Sequence, residues 1–153
     1  MKDCALIALG SNLGDSAAII REAFARLEKL SATQIRKSSL WTTEPVDCPP
    51  GSPSFVNAAV ALTPLPGETP ESLLAKLQAL EKEFGRRPKV VPNEPRPLDL
   101  DLIAFGPEVR NTSDLILPHP RAHLRQFVLQ PLNEVAPEFV LPGQTRTLAE
   151  LLR

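Results

Sequence analysis

Cysteine is scarce, with two in 153 residues. Cys4 lies in an apolar run and Cys48 in the segment Val46-Asp47-Cys48-Pro49-Pro50, neither with a CxxC partner or a metal-ligand neighbour. That excludes a disulfide framework and suits a reducing compartment. Net charge is almost absent: 17 Lys and Arg against 18 Asp and Glu leave −1 with both histidines neutral. A bulk electrostatic grip on nucleic acid or an anionic membrane is therefore not expected. No apolar run approaches the ~18 residues of a membrane span. The short run 4–9 is not a signal segment either, so the chain is expected to be cytoplasmic. The sequence also lacks a Gly-x-x-x-x-Gly-Lys-Ser/Thr loop and a Gly-x-Gly-x-x-Gly fingerprint. Gly10-Ser11-Asn12-Leu13-Gly14 has no lysine and reads as a strand-to-helix turn.

Proline, in contrast, is abundant, with 17 residues, about twice the usual share. They stand among periodic segments, which makes them braces of ordered loops and not a low-complexity tail. Length suits a single domain over 1–153, with a core large enough to need no staples.

Residues 4–9 read as a buried strand closed by Gly10. A helix follows, capped by Asp15 or Ser16, with an apolar face through Ala18, Ile19, Ala23, Phe24 and Leu27. Residues 34–43, carrying Ile35, Leu40 and Trp41, read as one strand, and 55–62 as another. Thr69 and Pro70 open a second helix, striped by Leu73, Leu74, Leu77, Leu80, Glu81 and Phe84 and stopped at Gly85. Residues 98–105 form a strand. Shorter pieces follow at 114–117, at 139–141 and in a small C-terminal helix, together with a helix over 126–135. The order β-α-β-β-α-β predicts an α+β fold with a ferredoxin-like core, a largely antiparallel sheet with helices packed on its faces, and C-terminal additions.

The chemistry concentrates in Leu98-Asp99-Leu100-Asp101-Leu102-Ile103. Alternation puts Asp99 and Asp101 on one face, roughly 7 Å apart, and the leucines on the other. Two such carboxylates suit Mg²⁺ shared with phosphate oxygens; the alternative is an amphipathic strand with its polar face in water. Residues 82–98 carry Lys82, Arg86, Arg87, Lys89 and Arg96 against only Glu83 and Glu94. Guanidinium groups match phosphate oxygens in bidentate geometry, so this proline-braced segment reads as a phosphate clamp or as a solvated basic loop. A second basic segment, Pro118-His119-Pro120-Arg121-Ala122-His123-Leu124-Arg125, fits a phosphate-facing loop better than a zinc site, since Pro120 opposes a regular helix. Asn57 interrupts the apolar strand Phe55-Val56-Asn57-Ala58-Ala59-Val60. A buried amide needs partners. It can read the edge of a heterocyclic amide or bond a nearby loop backbone.

Four segments in order resemble the 6-hydroxymethyl-7,8-dihydropterin pyrophosphokinase family of folate biosynthesis. They are Ala8-Leu9-Gly10-Ser11-Asn12-Leu13-Gly14-Asp15, Phe55 to Val60, Pro95-Arg96-Pro97 running into Leu98 to Ile103, and Pro118-His119-Pro120-Arg121 leading to Phe127-Val128-Leu129 and Pro131-Leu132. The resemblance implies transfer of the β,γ-pyrophosphoryl group of ATP to the pterin hydroxymethyl oxygen, with release of AMP. It implies Asp99 and Asp101 as ligands of two Mg²⁺ ions and Arg86 and Arg96 as phosphate clamps. It further implies Gln78 and Glu81, on the polar flank of the second helix, together with His119, Arg121 and Arg125, at the nucleotide and its phosphates. Phe55 and Phe127 would sandwich the pterin, Asn57 would read its amide edge, and the backbone from Thr43 to Val46 would assist. The chain departs from the family pattern at Glu94, where Gly or Ala is usual, at Asn93, where Trp is common, and at Pro88, where a second arginine is frequent.

Two other readings compete. A silent pterin- or nucleotide-binding sensor has no need for two metal-bridging carboxylates. A different nucleotidyltransferase would carry a Gly-Ser loop before the acidic pair, which this sequence lacks. Segment 85–97, with no apolar period to bury, is expected to close over bound ATP and pterin.

Overall fold

A computed structural model describes residues 4–12, 14–43, 54–85, 97–120 and 125–152. Seven strands and four helices are described: β1 (Ala5–Ser11), α1 (Ser16–Glu28), β2 (Arg36–Lys37), β3 (Trp41–Thr43), β4 (Phe55–Leu62), α2 (Pro70–Glu83), β5 (Asp99–Phe105), β6 (Arg110–Asn111), β7 (Ile116–Leu117), α3 (Gln126–Val135) and α4 (Leu148–Leu151). The main sheet runs β2-β4-β1-β5, with β3 also paired to β4 and every neighbour antiparallel. This is the ferredoxin-like order, with β6, β7, α3 and α4 as the additions.

Alternation along the central strands feeds two cores. Ile7, Leu9, Val60, Leu62, Leu100 and Leu102 face α1 and α2, while Leu6, Ala59, Ala61 and Ile103 face α3 and α4. With both faces covered, β1 and β4 read as continuous apolar runs rather than alternating ones.

The helices start where the caps dictate. The Asp15 carboxylate accepts the Ala18 N–H at 3.3 Å, and Thr69 and Ser72 form a reciprocal capping box before Pro70. Gly85 ends α2 with φ +92°, a backbone state that costs glycine little. The apolar stripe of α1 runs through Ile20, Ala23, Phe24 and Leu27. Ala18 falls outside it and is exposed, because it lies about 200° around the helix from Ile20.

Residues 34–43 are not one strand. Lys37 pairs with Val60 but Trp41 with Asn57, so residues 38–40 oppose only Ala58 and Ala59. Ser38 causes the slip: its N–H donates to the Ala59 carbonyl at 2.9 Å, and its hydroxyl oxygen accepts the Ala59 N–H at 2.8 Å. One extra residue in a strand exchanges the faces beyond it. Ile35 and Leu40 therefore both pack toward α1 and α2, and Trp41 emerges on the α3 side, bonded to Glu134.

Candidate active site

Four strands contribute one residue each to a single row. Trp41 of β3 is opposite Asn57 of β4, Asn57 is opposite Gly10 of β1, and Gly10 is opposite Asp99 of β5. Directly opposed residues project to the same face. The next row is Ala59, Ala8 and Asp101, and Ala59 and Ala8 belong to the α3 core. Both aspartates thus stand on the α3 face, while Leu98, Leu100 and Leu102 are buried on the other. This is the alternation expected of β5.

Gly10 is the low point of the row. A Cβ there would lie 3.4 Å from Asn57 Oδ1 and 3.8 Å from Phe55 Cδ1, filling space beside the amide. Glycine inside a strand often marks such a close approach. Phe55 shares the face of Asn57, two residues away, and is half-buried. Phe127 stands in the first turn of α3 with 38% of its surface exposed. Arg125, the residue before α3, holds its guanidinium carbon 5.6 Å from the centre of that ring, within cation–π range.

The outer edge of β5 is covered by two of the residues assigned to the nucleotide. Glu81 is buried, and its Oε2 accepts the Leu100 N–H at 2.8 Å, between the two aspartates. The His119 N–H donates to the Ile103 carbonyl at 2.9 Å, and His119 is half-buried beside the strand. Gln78 is exposed on α2, so the polar flank of that helix holds Gln78 but not Glu81. Arg86, Arg96, Val46 and Arg121 lie outside the described residues, together with the expected closing segment and its departures at Pro88, Asn93 and Glu94. Gly85 and Pro97, which flank 86–96, approach closely: a Cβ on Gly85 would lie 3.8 Å from Pro97 Cγ. The backbone of Thr43 pairs with Phe55.

Among the described residues no three His, Cys, Asp or Glu side chains are grouped to hold a metal ion by themselves. Asp99 and Asp101 are a pair, half-buried, and the residues opposite them are Gly10 and Ala8. Neither cross-strand partner carries a side chain larger than a methyl group. This donor set fits Mg²⁺, which takes one or two carboxylates and fills its shell with water and phosphate oxygens.

Sequence reading missed Gly10 as part of the floor and missed Glu134 and Ser39 altogether. Glu134 Oε2 accepts the Trp41 indole N–H at 2.7 Å, and Glu134 Oε1 accepts the Ser39 hydroxyl at 2.8 Å. Burial pushes the Glu134 carboxyl up, but the Trp41 and Ser39 donors outweigh it and hold the group below its ordinary value. The signal for Gly10 was in the sequence, as a glycine within an apolar strand segment; nothing local marked Glu134.

The ferredoxin-like sheet thus sets a buried amide on one side of Gly10 and a pair of carboxylates on the other side of β1. Residues 6–137 match the model of the 7,8-dihydro-6-hydroxymethylpterin-pyrophosphokinase (HPPK) family. The chain is 42% identical over 137 residues to 2-amino-4-hydroxy-6-hydroxymethyldihydropteridine pyrophosphokinase of Bacillus subtilis (strain 168), covering 88% of this chain and 79% of that one. It is 34% identical over 148 residues to the protein of the same name from Synechocystis sp., covering 97% and 74%. In fold it is similar to a solved structure described as HPPK-DHPS in complex with substrates, with a TM-score of 0.76 at 13% identity, spanning 97% of this chain and 44% of that one. The chain belongs to the HPPK family.

Proposed function

We propose that the open end of the sheet, over the row Asn57–Gly10–Asp99, binds the pterin and receives the pyrophosphoryl group of ATP. Family membership makes the chain a pyrophosphokinase of folate biosynthesis, with ATP as donor. The pterin hydroxymethyl oxygen attacks the β-phosphorus of ATP and loses its proton. The bond from that phosphorus to the bridging α,β-oxygen breaks, and AMP leaves. The observation that supports the reading is the row itself, with the Asn57 amide and the Asp99 carboxylate on either side of Gly10.

Asn57 offers both donors and an acceptor to the pterin amide edge. Phe55 and Phe127 supply its apolar walls, and the Thr43 to Val46 backbone adds polar contacts. Asp99 and Asp101 would hold two Mg²⁺ ions, whose charge neutralises the phosphates and fixes them against the hydroxyl. Arg86, Arg96, His119, Arg121 and Arg125 are assigned to the phosphates and nucleotide, with Gln78 beside the nucleotide. Glu81 acts on the same site through the Leu100 amide. We read 1–153 as one pyrophosphokinase domain, supported by a sheet common to both cores. A cytoplasmic location fits a chain of two cysteines, neither in a CxxC pair. Among the described residues no helix is long and apolar enough to cross a membrane.

The test is incubation with ATP, Mg²⁺ and 6-hydroxymethyl-7,8-dihydropterin. AMP and a pterin diphosphate are expected; ADP as the nucleotide product, or no turnover, would overturn the assignment.

A further inference from the structure

We propose that the hydrogen bond between Trp41 and Glu134 is a positioning contact of the pterin site, setting where Phe127 of α3 stands relative to Asn57 of β4. The inference rests on the pterin reading above.

Two pieces face one another, the sheet and α3, the latter with Pro131 inside it. On the sheet, Trp41 and Asn57 are cross-strand partners, so their backbone positions are locked by the β3–β4 ladder. On α3, Phe127 and Glu134 are seven residues apart. Seven residues are almost two full turns, which puts both on one side of the helix, about 10 Å apart along its axis. The amide is thus fixed to Trp41 and the ring to Glu134; the Trp41–Glu134 bond joins the two pieces at this end, while Arg36 of β2 donates to the Val135 carbonyl at 3.4 Å at the other.

That bond supplies what packing does not. α3 sits on the sheet through Leu129, Leu132 and Val135. Apolar burial is non-directional and tolerates a helix sliding along the strands beneath it. A 2.7 Å indole-to-carboxylate bond does not, and the Ser39 hydroxyl bonds to the same carboxylate at 2.8 Å and 3.0 Å to fix its orientation. The donor is on the correct face only because the Ser38 slip turns Trp41 toward α3. Neither Trp41 nor Glu134 is needed in the chemistry, so their effect falls on the fit of the pterin between Phe127 and the floor.

Steady-state kinetics of full-length Trp41→Phe, Glu134→Ala and Glu134→Gln test this, with pterin and ATP varied separately. Trp41→Phe keeps an aromatic ring and removes the donor; Glu134→Gln keeps an acceptor of the same size. The first two should raise KM for the pterin about tenfold, the size of one hydrogen bond to a charged group. KM for ATP and kcat should stay unchanged, and Glu134→Gln should recover most of the loss. Unchanged pterin KM in Trp41→Phe and Glu134→Ala would overturn the positioning role. So would an ATP KM that rises in step with the pterin KM, which marks general loosening. If the unaltered protein makes no AMP from the pterin, the site reading has failed, and this inference with it.

Discussion

Asn57 and Asp99 face one another across a single glycine. Each is the direct cross-strand partner of Gly10, one on β4 and one on β5. Their Cα atoms are thereby about 10 Å apart, two strand spacings. The gap between the amide and the carboxylate has a floor without a side chain.

Filling that floor should separate binding from folding. Gly10 has no left-handed backbone requirement, so a larger residue is tolerated by the strand. Gly10→Val should reduce pterin affinity at least tenfold by intruding beside Asn57 and Phe55, while ATP-analogue affinity stays within about twofold. Calorimetric titration with each ligand and a thermal melt would check it. A large fall in melting temperature would mean that the glycine serves the fold instead.

Either Asp99→Asn or Asp101→Asn should lower kcat by on the order of 10²–10³-fold, the loss expected when a group that fixes developing charge is removed. Pterin affinity and the circular dichroism spectrum should be retained, since both carboxylates are half-buried on the face away from the leucines that β5 gives to the core. AMP release under saturating Mg²⁺ is the measurement; full turnover in both variants would remove the metal assignment.

Removing the amide should weaken the pterin and little else. Asn57→Ala is expected to cost about 1–3 kcal/mol of pterin binding, because the buried ring edge then loses its partners. Lower stability with unchanged pterin affinity would assign Asn57 to the fold alone.

Glu81 is expected to matter through the strand it supports. Glu81→Ala leaves the buried Leu100 N–H unpaired, at about 1–3 kcal/mol, whereas Glu81→Gln keeps an acceptor in place. Urea denaturation should rank the two accordingly. Equal losses would indicate that the charge, not the hydrogen bond, is what the site requires.

Acid should undo the Glu134 contact in a defined direction. Burial pushes its carboxyl up, but the hydrogen bonds from Trp41 and Ser39 together outweigh that and hold it below the ordinary value of 4.5 in the folded protein. The contribution to stability is therefore complete above that value and is lost as pH falls through the lower folded one. The stability difference between the unaltered protein and Glu134→Gln should shrink from pH 6 toward pH 3. A constant difference across that range would show that Glu134 ionisation is not coupled to folding.

Legibility followed the range of the forces involved. The faces of Asp99 and Asp101, the Thr69 cap and the Gly85 stop depend on nearest neighbours and could be read directly. The two-strand break at Ser38 could not, because its hydroxyl competes for the amide of Ala59, 21 residues on. Strict alternation through 34–43 would set Trp41 on the face of Ile35, whereas the slip turns it toward α3. The bond to Glu134 spans 93 residues and has no local trace. The β6–β7 pairing was half seen, as residues 114–117, because strands of two residues carry no period. The residues proposed for the pterin and the metal stood out more readily than their supports, since a polar group in an apolar strand is conspicuous and a carboxylate on a helix is not.

The chain has one tryptophan and no tyrosine. Its absorbance and emission near 280–350 nm consequently come from a single indole, placed beside Asn57 and bonded to α3. Optical unfolding curves of this protein record the parting of α3 from the sheet at that corner, whereas far-ultraviolet dichroism averages over every helix. The two curves will superimpose only where that corner opens together with the rest of the molecule. A fluorescence transition preceding the dichroism transition would identify α3 as a separately unfolding unit.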